Sequence, residues 1–241
     1  MLNSINIESI LFLDIETAPM APVFDDLSEK FRQLWDKKSL HFREKEQSAA
    51  DVYERAGIYA EFGKIICISV GTVYQKKGEL RFRVKSYAGD DERKLLYDFV
   101  NMLDNYTKNG NIKLCAHNGL EFDYPYIARR CLINRISVPK ILDVAGAKPW
   151  EIKDNLLDTL QLWKFGDYKH FTSLDLLCAV FDIPTPKDDI DGSRVAGVYW
   201  NDRDLDRIIT YCEKDVFALC QLFLCYQGKA LLPADALESV G

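Results

Sequence analysis

Short apolar runs alternate along this 241-residue chain with longer segments of helical periodicity. Three runs are typical of buried strands: ILFLDI at 10–15, KIICISVGTVY at 64–74, and the apolar stretch at 112–116. The tripeptide KKG at 76–78 separates the second run from an alternating stretch at 80–87. These two stretches are therefore predicted to form a hairpin, so that the early strands pair as a meander.

Helical periodicity dominates the second half of the chain. Apolar residues recur at helical spacing, and Thr172 or Ser173 is placed to cap a helix that Pro184 stops. Residues 155–162 are predicted to form a strand or a strand-to-helix edge. Strands that first pair and then alternate with helices predict one mixed sheet with helices on its faces. The predicted helices cover residues 90–106, 122–134, 173–181 and 205–226.

The segment 18–61 interrupts this pattern with polar and charged residues. Phe31, Leu34 and Trp35 recur within it at helical spacing, and a second helical patch lies at 52–59. We predict an inserted helical lobe that lies over the sheet.

Composition and charge exclude several classes of protein. Lys and Arg number 31 against 37 Asp and Glu, for a formal charge of −6, and 48% of residues are hydrophobic. This composition is globular rather than disordered or fibrous. The chain has no apolar run near the roughly 18 residues of a membrane span, and no signal-peptide pattern. Seven cysteines without a CxxC favour neither a disulfide framework nor a zinc site, so we expect a soluble cytoplasmic protein with no membrane partner.

The first strand ends in a pair of carboxylates. Asp14 and Glu16 stand two residues apart, so their side chains lie on the same face of the strand. Neighbouring carboxylates repel each other unless a cation lies between them, and oxygen ligands suit Mg²⁺ or Mn²⁺. A second D-x-E at Asp90–Glu92 is better explained as the start of a helix, so the pattern alone does not identify a metal site.

A second polar group follows the strand predicted at 112–116. Asn118, Phe122 and Asp123 form the pattern N-x-x-x-F-D, with Asp123 at a strand-to-helix turn from which it can reach the sheet edge. Asp123 is equally suited to cap the helix and Asn118 to close a turn. These residues by themselves leave both interpretations open.

A third group lies on the last long helix. Tyr211 and Asp215 are four residues apart and therefore share a face of that helix. The alternative is a structural hydrogen-bonded pair at the border of the apolar face. Tyr87 and Asp91 have the same spacing, so this pattern alone decides nothing.

In combination the three groups are more specific. D-x-E, N-x-x-x-F-D and Y-x-x-x-D, in this order, resemble the three motifs of the DEDDy-type 3′–5′ exonucleases of the ribonuclease-H-like, or DnaQ-like, superfamily. The sister branch has a histidine five residues before the last aspartate, where this chain has Thr210. The resemblance runs from about residue 10 to 226 and is greatest to stand-alone relatives of the proofreading exonuclease domain of family B DNA polymerases.

This resemblance implies a fold and a metal site. The fold would be the ribonuclease-H-like α/β architecture, a five-stranded mixed sheet with its second strand antiparallel, flanked by helices. Residues 1–241 would form a single exonuclease domain with the insertion at about 18–61. Two Mg²⁺ or Mn²⁺ ions would be held by the four carboxylates, and Tyr211 would orient the attacking water. The implied metal ligands are Asp14, Glu16, Asp123 and Asp215.

The resemblance also implies a substrate, the 3′ end of single-stranded nucleic acid, with DNA favoured over RNA. Thr17 would offer its backbone N–H to the terminal 3′ hydroxyl, and Asn118 and Phe122 would contact the terminal nucleotides. A polymerase or repair partner is compatible with this function but is not specified. The alternatives are a non-catalytic nucleic-acid-binding module on the same fold and a related metal-dependent endonuclease.

Overall fold

The structure is a computed structural model that describes residues 2–108, 110–148, 150–152, 155–167, 171–184 and 190–240. In these ranges six strands form one mixed sheet in the order β5-β4-β1-β2-β3-β6. The strands are β1 Ile10–Pro19, β2 Gly63–Lys76, β3 Glu79–Ala88, β4 Lys113–Ala116, β5 Leu156–Asp158 and β6 Leu237–Ser239.

The strand directions follow the predicted meander. β1 pairs antiparallel with β2 and parallel with β4, and β4 pairs parallel with β5. β2 and β3 form the predicted hairpin, closed by Lys77 at φ 53° and Gly78 at φ 86°. Positive φ at both positions is what a type I′ turn requires, and it matches the twist of the strands. The antiparallel second strand is therefore confirmed.

The prediction of five strands was wrong, because β6 adds a sixth at the edge. β6 pairs parallel with β3 from Phe82 to Val84, and the Tyr74 hydroxyl donates to Glu238 at 2.5 Å. Three residues cannot show a period-two pattern, so the sequence carried no signal for this strand. β6 covers the edge of β3 that would otherwise expose unpaired backbone groups.

The predicted helices are present close to their expected positions. Ser173 caps α5 by accepting from the Leu176 N–H at 3.2 Å, and Asp204 caps α7 by accepting from the Arg207 N–H at 3.1 Å. The helices are α1 Glu29–Ser39, α2 Glu92–Thr107, α3 Asp123–Ile133, α4 Thr159–Lys164, α5 Leu174–Val180, α6 Val195–Gly197 and α7 Leu205–Tyr226. Shorter 3₁₀ turns lie at Leu2–Ser4, Ile7–Ser9, Phe24–Asp26, Tyr53–Ile58 and Ala234–Ala236, and a π-helical turn at Val198–Asp202. Among the described helices, none has the length and apolar character needed to cross a membrane.

Helices cover both faces of the sheet, and this arrangement decides where each residue of β1 points. Phe12 packs with Val216 and Phe223 of α7 on one face, whereas Leu13 and Ile15 pack with α2 and α3 on the other. Because successive side chains in a strand alternate, Asp14 and Glu16 lie on the α7 side with Phe12.

The segment 18–61 forms α1 and the 3₁₀ turn Tyr53–Ile58 around its own aromatic cluster. Trp35 is fully buried there and donates its indole N–H to the Ala49 carbonyl at 2.9 Å. The second predicted patch is a 3₁₀ turn rather than an α-helix. Gly57 in this turn lies so close to β1 that a Cβ would come within 3.3 Å of the Ala18 backbone.

Candidate active site

The carboxyl ends of β1, β4 and β5 meet at one edge of the sheet because these three strands are parallel. Asp14 and Glu16 lie at this edge in β1, opposite Ser69 and Cys67 of β2. The register shifts directly after Glu16, where Ile66 of β2 has no partner. A bulge of this kind increases the local twist and re-aims neighbouring side chains, and bulges are common beside active sites.

Cys212 of α7 packs directly against the first carboxylate. Ligand atoms of Asp14, Glu16 and Cys212 all lie within 4.8 Å of one another. The Cys212 thiol lies 3.5 Å from both the backbone oxygen and the Oδ2 of Asp14. The sequence prediction did not include Cys212 in the site, although its position next to Tyr211 could have indicated that it lies there.

Asp123 reaches the same edge from the first turn of α3. It is 2% exposed, and its carboxylate interacts with the backbone N–H of Ile15, which lies between Asp14 and Glu16. Its Oδ1 is buried with no hydrogen-bond partner in the described part of the chain. A buried carboxylate oxygen without a partner is costly, and a bound cation would remove that cost.

Tyr211 and Asp215 approach the cluster from α7. The Tyr211 hydroxyl is hydrogen-bonded to the Asp215 carboxylate. Burial raises the pKa of Tyr211, and the negative charges of Asp215, Glu16 and Asp14 raise that pKa further. The structure therefore brings Tyr211 and the four predicted carboxylates together at one place.

The carboxylates of this cluster lie close together, with Glu16 and Asp123 buried and Asp14 and Asp215 partly buried. Each disfavours the negative charge of its neighbours. Burial, followed by the charge of Asp123, raises the pKa of Asp14. Burial, then Asp14 and Asp215, raise the pKa of Glu16, which is only 7% exposed. A divalent cation would relieve this repulsion and satisfy the unpartnered Oδ1 of Asp123, so the residues present fit a metal such as Mg²⁺ or Mn²⁺.

The metal-free protein should become less stable as the pH rises. Burial raises the pKa of Asp123 to about 7, against about 4 for an unfolded aspartate. The folded state therefore holds a proton that the unfolded state has lost, so the free energy of unfolding falls from about pH 4 to about pH 7, with more than half of the fall between pH 5 and 7. We expect a loss on the order of 2 kcal/mol in the free energy of unfolding, measured by urea denaturation in EDTA. Asp123→Asn should reduce the change in the free energy of unfolding with pH. An unchanged pH dependence in that variant would contradict the assignment of Asp123 as the titrating group.

Asp158 holds the loop between β4 and α3 in place. It is 2% exposed at the end of β5, and it accepts backbone N–H groups from Asn118 at 2.9 Å and Leu120 at 3.0 Å. It also caps α4 by accepting from Leu160 at 2.9 Å and Gln161 at 3.3 Å. Asp158 therefore ends β5, caps α4 and positions the loop that contains Asn118.

Asp158→Ala should lower the free energy of unfolding by about 2–4 kcal/mol, because it leaves several backbone N–H groups of the loop unsatisfied. The loop also leads directly into Asp123, the first residue of α3, so activity should fall in the fraction that remains folded. Asp158→Asn keeps one side-chain oxygen acceptor and is the matched control, with a smaller loss. Thermal melts and activity of both variants test this; equal stability of Asp158→Ala and wild type would exclude the role.

The three predicted substrate-binding residues lie around this cluster. The Thr17 hydroxyl is hydrogen-bonded to Tyr126, which is 1% exposed and also donates to the Gly57 carbonyl at 2.7 Å. Asn118 adopts φ 62°, and its carbonyl accepts the N–H of Phe122 at 3.0 Å, so it does close a turn. Its side-chain Oδ1 is buried with no partner among the described residues. Phe122 packs against the Tyr126 ring with centroids 5.4 Å apart.

Comparisons with known proteins identify the family of this chain. Residues 58–232 match a family model described as a predicted 3′–5′ exonuclease related to the exonuclease domain of PolB. The match includes Asp123, Tyr211 and Asp215 and begins after Asp14 and Glu16. No curated protein matches the chain in sequence.

A solved structure shares the fold. The family B DNA polymerase of the hyperthermophilic archaeon Pyrobaculum calidifontis superposes with a TM-score of 0.53 at 16% sequence identity. The superposition covers 90% of this chain but 24% of the polymerase, so the chain spans about a quarter of that protein. The family model covers well over half of the chain, and the chain therefore belongs to the family of predicted 3′–5′ exonucleases related to the exonuclease domain of PolB.

Proposed function

We propose that this protein is a metal-dependent 3′–5′ exonuclease that removes nucleotides from the 3′ end of single-stranded nucleic acid, DNA in preference to RNA. The observation that carries the proposal is the convergence of Asp14, Glu16, Asp123, Tyr211 and Asp215 at one sheet edge. The family match and the ribonuclease-H-like arrangement of the sheet support it.

Two Mg²⁺ or Mn²⁺ ions fit the carboxylate cluster. Asp14 would be a ligand of these ions, since its carboxylate lies beside that of Glu16 and the charge of Asp123 raises its pKa. Glu16, Asp123 and Asp215 would supply the other carboxylate ligands. When bound, such ions would activate a water molecule at neutral pH and neutralise the negative charge that develops on the phosphate oxygens.

Tyr211 acts as a positioning group for the attacking water. Its raised pKa keeps the phenol protonated at neutral pH, so it cannot serve as the general base. Its hydroxyl is fixed by Asp215 and can also accept a hydrogen bond from a water molecule beside the cluster. The leaving group is the 3′ oxygen of the penultimate nucleotide, and the product is a nucleoside 5′-monophosphate.

The terminal nucleotide would lie against the loop that follows β4 and the end of β1. Here the Thr17 backbone N–H would contact the 3′ hydroxyl, while the partly buried side chains of Asn118 and Phe122 would contact the sugar and base. In this role the Asn118 Oδ1, which has no partner among the described residues, would accept a hydrogen bond from the nucleotide.

A single-stranded oligonucleotide labelled at its 5′ end tests the proposal directly. With Mg²⁺ the exonuclease should produce a ladder that shortens stepwise from the 3′ end. Retention of the intact strand in a complex would instead indicate a binding module, and internal fragments would indicate an endonuclease. Either of these results would contradict the proposed activity.

The state of the 3′ end should control the rate. A 3′-phosphorylated strand should resist hydrolysis, because the added group brings about two negative charges to a cluster that already holds four carboxylates. A blunt duplex should react more slowly than a single strand, since unpairing the end costs a few kcal/mol. Initial rates on the three substrates check this, and equal rates on blunt duplex and single strand would be inconsistent with it.

A further inference from the structure

Phe171 is an aromatic residue that the proposed chemistry does not use. Its side chain is 66% exposed, although an exposed phenyl ring forgoes the stabilisation of burial. The ring meets His117 edge-on, with centroids 6.4 Å apart and planes at 74°. An edge contact of this kind leaves most of the phenyl surface open.

The backbone beside Phe171 is held in place by His117. One ring nitrogen of His117 is hydrogen-bonded to the Thr172 carbonyl at 2.9 Å, and the other to the Thr159 hydroxyl at 2.9 Å. Ser173 then caps α5, so the two residues that directly follow Phe171 in the chain are both held by hydrogen bonds. Ordering a ring in this way lowers the entropy cost of stacking on it.

Two observations place Phe171 at the rim of the carboxylate cluster. Phe12 of β1 pairs with Cys115 of β4, and both pack towards α7. Asp14 lies two residues after Phe12 in β1, and His117 directly follows the last residue of β4, so both lie near the carboxyl ends of these two paired strands. His117 also directly precedes Asn118, one of the predicted substrate contacts. The charge of Asp215 also contributes to the raised pKa of Cys178, which shows that α5 lies near the same cluster.

We infer that Phe171 is a stacking platform for a base of the single-stranded substrate, next to the terminal nucleotide that is hydrolysed. The inference rests on the proposed exonuclease function and adds a residue that holds the strand. Stacking on an aromatic ring tolerates any base, as a nuclease that removes successive nucleotides requires. A phenyl ring is also apolar and uncharged, so it can hold a base beside an acidic cluster without adding repulsion.

Binding of a fluorescent oligothymidylate in Ca²⁺ tests Phe171, read by anisotropy. Phe171→Ala should weaken binding by roughly 5- to 100-fold, the range that alanine substitution at a base-stacking aromatic produces. Phe171→Trp should bind about as tightly as wild type. Tyr97→Ala is the matched control, because Tyr97 is 59% exposed on α2, which packs on the opposite face of the sheet. It should bind like wild type.

Hydrolysis separates the loss of stacking from damage to the site. With Mg²⁺, Phe171→Ala should raise KM for the oligonucleotide and leave kcat nearly unchanged. It should leave hydrolysis of the p-nitrophenyl ester of thymidine 5′-monophosphate unchanged, since this substrate has no second base. Wild-type binding by Phe171→Ala, or an equal loss on both substrates, would overturn the stacking role. A wild type that binds the strand but hydrolyses neither substrate would instead contradict the exonuclease function.

Discussion

Asp14→Ala and Asp215→Ala should each reduce 3′–5′ hydrolysis by on the order of 10⁴-fold or more, because each removes one carboxylate from a cluster that acts as a unit. Asp14 lies between Glu16, Asp123 and the Cys212 thiol, and Asp215 fixes the Tyr211 hydroxyl. Steady-state rates on a labelled single strand with saturating Mg²⁺ measure the loss. Unchanged turnover in either purified variant would exclude the site.

The same two substitutions should not unfold the protein. Without metal, each removes a carboxylate whose negative charge its neighbours oppose, so melting temperatures in EDTA should equal or exceed that of wild type. Asp143→Ala, at an exposed loop position, is the control and should keep both activity and stability. Large destabilisation of Asp14→Ala or Asp215→Ala in EDTA would show that these carboxylates are structural.

Tyr211→Phe should lower kcat by about 10- to 1000-fold with little change in KM, because it removes one positioned hydroxyl and no carboxylate. The raised pKa of Tyr211 means that its ionisation does not shape the activity near neutral pH. The rising limb of the pH profile should therefore be the same in the variant and in wild type. Mn²⁺ affinity, measured by calorimetry, should also be retained.

Tyr97→Phe is the control for this variant, since it removes an exposed hydroxyl from α2 and should be fully active. Full activity of Tyr211→Phe would show that the Tyr211 hydroxyl has only a structural role and does not take part in catalysis. Loss of metal binding would instead mean that the phenol supports Asp215 as a ligand, which contradicts a role limited to orienting water.

Much of the fold could be predicted because long amphipathic elements carry redundant signals. α7 extends over 22 residues with a continuous apolar stripe, and its limits coincide with those expected from periodicity. β2 and β3 were identified by their apolar content and by the Lys-Gly turn between them. By contrast, β6 has three residues and forms through pairing with β3 and the contacts of Glu238, which are distant in sequence.

The site could be predicted where local spacing sets geometry, as it does for Asp14 with Glu16 in a strand and Tyr211 with Asp215 in a helix. The contributions of Cys212 and Asp158 depend instead on how α7 packs on β1 and how β5 aligns beside β4. These arrangements join residues far apart in the chain, so local spacing does not set them. The family match begins at residue 58, and the structure alone connects the β1 carboxylates to the matched motifs.

Crystals grown with Mn²⁺ and a nucleoside 5′-monophosphate would test the central claim most directly, through anomalous diffraction. We predict two manganese peaks bound by Asp14, Glu16, Asp123 and Asp215, with the phosphate between the ions and the Tyr211 hydroxyl facing the position of the attacking water. Carboxylates without manganese, or a nucleotide bound away from this sheet edge, would contradict the assignment of a metal-dependent exonuclease site to these residues.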